Sequence, residues 1–469
     1  MKSARVKTLL AGVFLQAVTQ GVLFAQTTPA MSQLQAAPPN APAAATALTV
    51  VPADNAWILI SSALVLMMTA PGLILFYGGL VRGKNVLGTM MHSLILMAMV
   101  SVLWMVFGYS MSFGDGNAFI GNPMQYWMLN GVGGVPNGDY APTIPHQSFM
   151  LFQMMFAIIT PALISGAIAE RMKFKAFLLF TFLWMVVVYF PICHMVWGKG
   201  GLMNYALGGK IPVLDFAGGT VVHISSGISA LVCAFVLGKR MGYPREPMPP
   251  HNVVYSLIGT GLLWVGWFGF NAGSALNAGK LATSTFAATH FSAVGAALSW
   301  TFIEWLSKGK PSVLGAASGM VAGLATITPA SGFVTVPMAF CIGLTGGVVC
   351  YYAVTKVKAR FAYDDSLDVF GVHCVGSVVG MLLLGLAANA GVNEAIASVS
   401  IDGHKLSCVG SIAQFVAQFK GVLITLAWSA LASMVILKIV QASVGLRVEE
   451  DEESLGLDLS QHGESAYND

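Results

Sequence analysis

Two histidines lie in the middle of long apolar segments of this chain, and each follows an aspartate. The first pair is Asp215 and His223, and the second is Asp368 and His373. An ionisable side chain at membrane depth costs free energy, so such residues commonly mark a substrate path or a proton relay. Two neutral imidazoles that meet could share one proton and line a path with nitrogen sites. The alternative is that each histidine is a structural group bonded to a neighbouring helix.

The composition places these residues in a polytopic membrane protein. Of the 469 residues, 56% are hydrophobic and only 9% are charged, whereas about 25% of the residues of a soluble protein are charged. A bilayer core needs about 20 apolar residues per helix. On that length we predict an all-α fold with eleven transmembrane helices. The predicted spans are residues 55–80, 86–110, 148–169, 176–197, 216–238, 252–274, 283–306, 313–329, 333–355, 369–389 and 416–440.

The basic residues predict the orientation of these spans. Fifteen of the 23 lysines and arginines follow odd-numbered spans, five lie on the opposite side, and three lie near the N-terminus. The positive-inside rule therefore places the mature N-terminus outside the cell and the C-terminus in the cytoplasm. We expect the protein to lie in the cytoplasmic (inner) cell membrane as a multi-pass protein.

The two ends of the chain differ from the apolar middle. Residues 1–25 are typical of a secretory signal peptide, with an uncleaved extra helix as the alternative. Residues 26–54, rich in Ala, Pro, Gln and Thr, predict a disordered extracytoplasmic segment. Residues 55–440 would form the membrane domain and 441–469 a cytoplasmic regulatory tail. Eight of the 20 acidic residues lie in 449–469, and such a charge run is ordinarily a solvated tail.

The membrane domain contains two similar halves, spans one to five and six to ten. An odd number of spans per repeat inverts the second copy relative to the first. The first aspartate–histidine pair opens span five and the second opens span ten, and the tetrad Ile-Thr-Pro-Ala recurs at 159–162 and 327–330. We predict a five-plus-five inverted repeat around a central pore, with the binding site near the bilayer midplane.

Aromatic residues on spans three, four and six could form a cation site. Trp267, Phe270 and Ser274 recur at three- and four-residue steps and so share one face of span six. Span four ends at Trp197, and span three contains Phe156. Aromatic and hydroxyl groups that converge at an outer mouth can hold a small cation, with cation–π energies of about 0.5–2 kcal/mol. The competing interpretation is interfacial belt and packing.

The aspartates have two compatible interpretations. Asp215 at the start of a span could satisfy free backbone N–H groups, and its buried charge could also favour a nearby cation. We interpret Asp364, Asp365 and Asp368 mainly as capping and interface charges. The six cysteines form no CxxC motif, so we predict no metal site and no cofactor. The sequence also contains no nucleophile or nucleotide motif, so we do not expect an enzyme.

Several long stretches carry a family resemblance. They are residues 76–85, 169–171, 194–198, 215–227, 266–274, 368–373 and 445–467. On these stretches the chain resembles the Amt/Mep/Rh ammonium transporters, specifically the bacterial Amt branch, and the resemblance covers about residues 55–465.

The resemblance implies an outer ammonium recruitment site. Trp197, Phe156 and Ser274 match the residues of that site in the family. Asp215 matches the aspartate beneath it, which is needed for ion binding or deprotonation, and Thr328 matches a threonine near it.

The resemblance also implies a narrow apolar pore below the recruitment site. Phe156 and Phe270 match the family's stacked phenylalanine gate. His223 and His373 match the twin histidines of the pore, and Trp267 matches a pore-lining tryptophan.

The family works as homotrimers with one pore per subunit, and cytoplasmic PII-type signal proteins regulate it. These features are therefore expected here, with ammonium or ammonia as substrate and methylammonium as an analogue. An intact ammonium ion enters a dry pore only at great cost. We expect capture of NH4+, loss of a proton and passage of NH3, with or without a separately relayed proton. The alternatives are an ammonium sensor or transceptor and an Rh-like channel for NH3 or CO2.

Overall fold

The computed structural model of this protein describes residues 48–401 and 404–467. The predicted signal peptide lies outside these residues, as does most of the predicted disordered segment. Eleven long helices, here named α1 to α11, dominate the part of the chain that the structure describes. They are α1 (Pro52–Leu80), α2 (Gly83–Phe113), α3 (His146–Ile168), α4 (Phe174–Trp197), α5 (Gly219–Leu237), α6 (Val253–Gly273), α7 (Lys280–Lys308), α8 (Val313–Ile327), α9 (Val336–Phe361), α10 (Phe370–Ala387) and α11 (Ile412–Val444).

The predicted all-α fold with eleven helices is confirmed, although the helices differ in length. Ten of the eleven are long and apolar enough to cross a bilayer. The helix α8 has 15 residues, which gives about 22 Å at 1.5 Å per residue and falls short of a bilayer core of about 30 Å. The chain then turns at residues 328–333 before α9 begins.

The first helix begins earlier than predicted. Its first residue is Pro52, where the fixed φ of proline and its missing N–H suit the first turn of a helix. The preceding residue is held in place because the Val51 N–H donates to the carbonyl oxygen of Thr143 at 2.8 Å. Residues 48–54 therefore differ from the disorder predicted for the segment that contains them.

The helices α3 and α5 are the most buried of the bundle, while α2 and α11 are the most exposed. The close approach of α5 to α10 depends on Gly227. A Cβ atom on Gly227 would lie 2.6 Å from the Cβ of Cys374, so only glycine permits this crossing. Small residues let membrane helices approach closely. Here that approach brings the helices together within a turn of His223 and His373.

A buried charge cluster joins the loops of the predicted cytoplasmic side. Glu170, which follows α3, accepts from Arg82 at 2.6 Å and from Arg240 at 3.4 Å. Arg240, which follows α5, also pairs with Asp364 before α10 at 2.8 Å. Arg171 donates to the Asp364 carbonyl oxygen at 2.5 Å. The cluster therefore ties together the ends of several helices from both halves.

Two short hairpins and a folded tail complete the described chain. Strands β1 (Pro136–Asn137) and β2 (Ala141–Pro145) pair antiparallel before α3, and β3 (Val399–Ile401) and β4 (His404–Leu406) pair before α11. The tail forms the short helix α12 (Glu450–Leu455).

The tail packs against the loops of the bundle and does not extend into solvent over its described length. Lys84 Nζ donates to the carbonyl oxygen of Ser454 at 2.5 Å, and the Gly88 N–H donates to Asp458 Oδ1 at 2.7 Å. Glu453 is buried and pairs with Arg447 at 2.7 Å. The acidic run is thus only partly the solvated tail that charge alone predicts.

Candidate functional site

A cavity of about 210 Å³, here named the outer cavity, opens between the loops at the end of the bundle that is predicted to face outward. Phe156 of α3, Trp197 at the end of α4 and Ser274 after α6 all line it. The Trp197 ring meets the Phe156 ring edge-on, with centroids 5.9 Å apart and planes at 88°. The Ser274 hydroxyl donates to the Phe270 carbonyl oxygen at 2.8 Å, so its oxygen can still accept a hydrogen bond from a guest. Phe156, Trp197 and Ser274, which the sequence analysis grouped as a candidate cation site, therefore line one cavity.

Two phenylalanines close the inner end of this cavity. The rings of Phe156 and Phe270 overlap with centroids 4.2 Å apart and an interplanar angle of 36°. Both side chains are almost completely buried. Phe156 lines the outer cavity, and Phe270 lines the small cavity below it. A solute that passes inward must therefore displace or rotate these two rings.

The two histidines meet below the phenylalanines. His223 and His373 place their Nδ1 atoms 3.2 Å apart, with nearly parallel rings whose centroids are 5.2 Å apart. At this distance one Nδ1 carries a hydrogen atom and donates a hydrogen bond to the other Nδ1. The rings are only 1% and 4% exposed. His223 Nε2 has no hydrogen-bond partner in the described part of the chain, so a nitrogen site is free beside the passage.

The narrow section that contains the two histidines is otherwise apolar. A cavity of about 10 Å³ lies there, and its other lining residues are all hydrophobic. They are Met68, Leu73, Phe76, Ile159, Leu163, Val222, Leu263, Trp267, Phe270 and Val321. His373 also lines a second, inner cavity of about 190 Å³. The outer cavity, the phenylalanine pair, the histidine pair and the inner cavity therefore follow one another.

Asp215 caps the helix that carries His223. Its Oδ1 accepts from the N–H groups of Gly218 and Gly219 at 2.8 and 2.7 Å. Its Oδ2 accepts from the Thr220 N–H at 2.7 Å and from the Thr220 hydroxyl. The carboxylate has about four lone-pair sites, and these four donors use them. Because Asp215 also borders the outer cavity, its negative charge acts there through space while its oxygens hold the helix.

The structure corrects the predicted partner of Asp215 in the second half. Asp365, not Asp368, lies at the equivalent place. Asp365 Oδ2 accepts from the Phe370 N–H at 2.8 Å, the same five-residue step as from Asp215 to the Thr220 N–H. Asp365 precedes His373 by eight residues, as Asp215 precedes His223. Both helices also begin with a wider turn that contains the histidine, a feature often found at functional sites.

Asp368 has a different environment. It pairs with Lys358 at 2.6 Å and borders the inner cavity. Its φ of 61° is uncommon for a residue other than glycine. Asp368 therefore precedes His373 by five residues, but its side chain accepts no hydrogen bond from a backbone N–H at the start of α10 in the described part of the chain.

The buried carboxyl of Asp365 gives a pH prediction. Burial raises its pKa to about 6, with the nearby Lys358 charge acting in the opposite direction. A raised pKa favours the protonated form in the folded protein, so its contribution to stability is complete below about pH 4 and is lost as the pH rises to about 6. Over this pH range the unfolding free energy of the wild type should fall by at most about 3 kcal/mol. Asp365→Asn, which keeps an acceptor for the Phe370 N–H, should not show this fall.

Thermal unfolding of the purified protein between pH 4 and 8 measures this effect. The wild-type midpoint should fall between pH 4 and 6 more steeply than that of Asp365→Asn. Equal slopes in the two proteins would show that Asp365 does not titrate in this range.

Thr328, which the resemblance placed near the recruitment site, does not line the outer cavity. It is buried, and its hydroxyl donates to the Leu324 carbonyl oxygen at 2.8 Å. The Trp267 indole N–H donates to the same hydroxyl at 2.9 Å. The Trp267 ring in turn stacks on His223, with centroids 5.4 Å apart at 20°. Because the turn after α8 faces α6 here, Thr328 orients a pore-lining ring and does not line the outer cavity.

Thr328→Val should therefore destabilise the protein without a large change in volume. The buried indole N–H of Trp267 would lose its acceptor, at a cost of about 1–3 kcal/mol. Thr425→Val is a matched control, because the Thr425 hydroxyl donates only to Gly421 in its own helix. A lower melting midpoint for Thr328→Val than for Thr425→Val in detergent is the expected result. Equal midpoints would contradict the importance of this bond.

Several residues that line the outer cavity were not predicted from the sequence, and two of them are polar groups at its edge. Asp139 and Tyr140 belong to the hairpin loop before α3, and both line the outer cavity. The Tyr140 ring lies parallel to Phe149 at 5.3 Å. They follow no helical spacing, so no periodic pattern could have found them. Asp365 could have been found from the sequence, because it precedes His373 by eight residues, the same spacing as from Asp215 to His223.

Comparison with known proteins shows the family of this chain. The profile of the Ammonium Transporter Family matches residues 56–467. The chain belongs to the ammonium transporter family. An ammonium transporter of Bacillus subtilis is 47% identical over 416 residues, which is 89% of this chain and 98% of that protein. The Archaeoglobus fulgidus ammonium transporter Amt1 is 43% identical over 413 residues, 88% of this chain and 98% of that protein.

Solved structures of this transporter family share the fold. Saccharomyces cerevisiae Mep2 is 34% identical, with a TM-score of 0.77 over 86% of this chain and 89% of Mep2. A structure named Sensor Amt Protein is 26% identical, with a TM-score of 0.77 over 87% of this chain and 98% of that one. The protein is thus a multi-pass membrane protein of a family of ammonium transporters and not an enzyme.

Proposed function

We propose that this member of the family captures NH4+ in the outer cavity, removes one proton, and conducts NH3 past the two histidines to the inner cavity. The observation that carries the proposal is the pair of imidazoles with Nδ1 atoms 3.2 Å apart, in an apolar section between two cavities. The ring pair of Phe156 and Phe270 separates this section from the outer cavity.

The outer cavity has the chemistry to bind a small cation. Trp197 and Phe156 offer aromatic faces or edges, and a desolvated cation–π contact contributes up to about 2 kcal/mol. Ser274 offers a hydroxyl oxygen. The capped carboxylate of Asp215 adds negative charge beneath the site without a free lone pair. This arrangement favours a positive guest and supports Asp215 as an electrostatic and positioning group, whose own oxygens are occupied.

The passage below the gate favours a neutral species. Moving an intact ammonium ion into a dry apolar section has an idealised cost of tens of kcal/mol, and no carboxylate lines that section. NH3 avoids this cost, and the free Nε2 of His223 offers it a hydrogen-bonding site. The shared proton between His223 and His373 supplies a route for the released proton. Potassium cannot lose a proton, so this scheme excludes it.

Current recorded on a solid-supported membrane, from purified protein in liposomes, tests the proposal. An ammonium jump should give a saturable current, and a potassium jump of equal size should give none. An absent current together with a rapid internal alkalinisation in a stopped-flow pH assay would indicate electroneutral NH3 conduction. Absence of both signals, with ammonium binding intact, would favour a sensor, as the likeness to the Sensor Amt Protein allows.

We also propose the predicted topology and a homotrimer. The asymmetry of lysine and arginine supports an inner-membrane protein with its N-terminus outside and its tail in the cytoplasm. The exposed face of α6 and α7 supports association with further copies. His290 lies exposed there within α7, stacked on Trp264 at 5.3 Å. A histidine at membrane depth rarely faces lipid, so we expect another subunit to pack against His290.

Regulation through the tail is part of the same proposal. The tail contacts the start of α2 through Lys84 and Gly88. It also contacts the loop after α5, where the Met241 N–H donates to Glu453 Oε1 at 2.8 Å. A PII-type protein that binds this surface would contact loops and tail together. Co-purification with such a protein, with and without residues 449–469, tests the idea.

A further inference from the structure

A charged pair stands at the rim of the outer cavity and has no role in the scheme above. Lys199 Nζ lies 2.8 Å from Asp139 Oδ2, and the two side chains are 48% and 43% exposed. Asp139 lines the outer cavity together with Trp197 and Ser274. Lys199 follows Trp197 by two residues. A lysine at the mouth of a pathway for cations repels them unless its charge is balanced.

We propose that Asp139 and Lys199 set the apparent affinity of the outer cavity for ammonium, with Lys199 acting as a tethered competitor for the Asp139 carboxylate. This inference rests on the proposed function. The lysine side chain ends in an alkylammonium group, the chemical class to which methylammonium belongs. Its hydrogen bond to Asp139 shows that this rim carboxylate can accept N–H donors of that class.

The local structure fixes the pair at the cavity and does not leave it on free surface. The Lys199 N–H donates to the Tyr140 hydroxyl at 3.0 Å, and that hydroxyl donates to the Phe113 carbonyl oxygen at 2.9 Å. The backbones that carry Asp139 and Lys199 are therefore held together. Burial raises the pKa of Tyr140, so this link stays neutral and intact over the physiological range. The other nearby acid, Asp115, is bonded to Gln125 at 3.0 Å.

The charges predict opposite effects for the two neutralising substitutions. Lys199→Gln leaves Asp139 unbalanced, so the ammonium concentration that gives half-maximal current should fall by roughly two- to fivefold. Asp139→Asn leaves Lys199 unbalanced, so that concentration should rise by a similar factor. The double substitution restores the net charge of the mouth, and its half-saturation should return close to the wild-type value.

The measurement is the ammonium dependence of the current in liposomes, at low and high NaCl. Both single-variant shifts should shrink at about 1 M salt, where the screening length is about 3 Å. Lys280→Gln is the matched control, because it removes a lysine on the same predicted side that, unlike Lys199, forms no ion pair with a described residue that lines the outer cavity. It should leave half-saturation unchanged.

The outcomes separate this inference from the proposed function. A wild-type protein with neither an ammonium-dependent current nor an internal alkalinisation would refute the function itself. A saturable wild-type current with unchanged half-saturation in both single variants would refute only the role of the pair. Shifts in the same direction, or a double variant that is worse than either single one, would show a structural clamp and also overturn the inference.

Discussion

Asp215→Ala should lower the ammonium current at least about tenfold and destabilise the protein. The substitution removes the acceptor of four hydrogen bonds at the start of α5. Hydrogen bonds to a charged group contribute about 1.5–3 kcal/mol each, although such losses are not additive, and we expect a net loss of about 2–5 kcal/mol. The freed turn also carries His223, and small displacements of a reacting group can cost two orders of magnitude in rate.

Asp215→Asn separates the two contributions of this residue. Asparagine keeps one oxygen for the N–H groups of Gly218 and Gly219 but removes the charge beneath the outer cavity. We expect the melting midpoint of Asp215→Asn to lie close to the wild-type value, while its ammonium current stays low. Both should be measured on the same liposome and detergent samples. A folded Asp215→Ala protein with a current within twofold of wild type would contradict both roles.

Replacement of either pore histidine by leucine should also abolish most of the current. His223→Leu and His373→Leu keep the passage dry and of similar width, but each removes one end of the shared hydrogen bond. Without it the proton has no route and NH3 has fewer nitrogen sites, so the current should fall at least about tenfold. The fold should be retained because the surroundings are apolar. The melting midpoint should fall, because the remaining imidazole loses its buried hydrogen-bond partner at a cost of about 1–3 kcal/mol.

The corresponding alanine variants distinguish the relay from the dryness of the pore. Alanine leaves space beside the 10 Å³ cavity, and room for water lowers the cost of an ion. We expect His223→Ala and His373→Ala to pass potassium, which the leucine variants should exclude. His404→Ala, in the exposed strand β4, is the control and should match wild type. Normal, ammonium-selective currents from the leucine variants would remove the histidine pair from the mechanism.

The sequence predicted the helices for a simple reason. Apolar runs of about 20 residues identify spans because a bilayer leaves backbone groups no partner outside a helix. The three- and four-residue steps of Trp267, Phe270 and Ser274 place them on one face. Ser274 lines the outer cavity with Phe156 and Trp197, and Phe270 contacts Phe156. Trp267 lies outside this group, stacked on His223.

The sequence could not assign the aspartates correctly. Asp365 and Asp368 both precede His373 at helical distances, and spacing alone does not tell which one receives the free N–H groups. That choice depends on the path of the chain before α10, where Asp368 turns toward Lys358 with a positive φ. Thr328 is a similar case, because its partner Trp267 lies 61 residues away along the chain.

What the sequence determined by itself was the class of protein, the number of helices and the residue types available for a pore. These follow from local composition and periodicity, which report burial and helix faces. Only the tertiary structure decided which of these residues meet. The contact between His223 and His373 needs the close crossing of two helices that are 150 residues apart. The rim pair of Asp139 and Lys199 needs two loops without periodicity to fold onto one cavity. Such contacts depend on packing between segments that are far apart in the sequence, so local sequence patterns do not predict them.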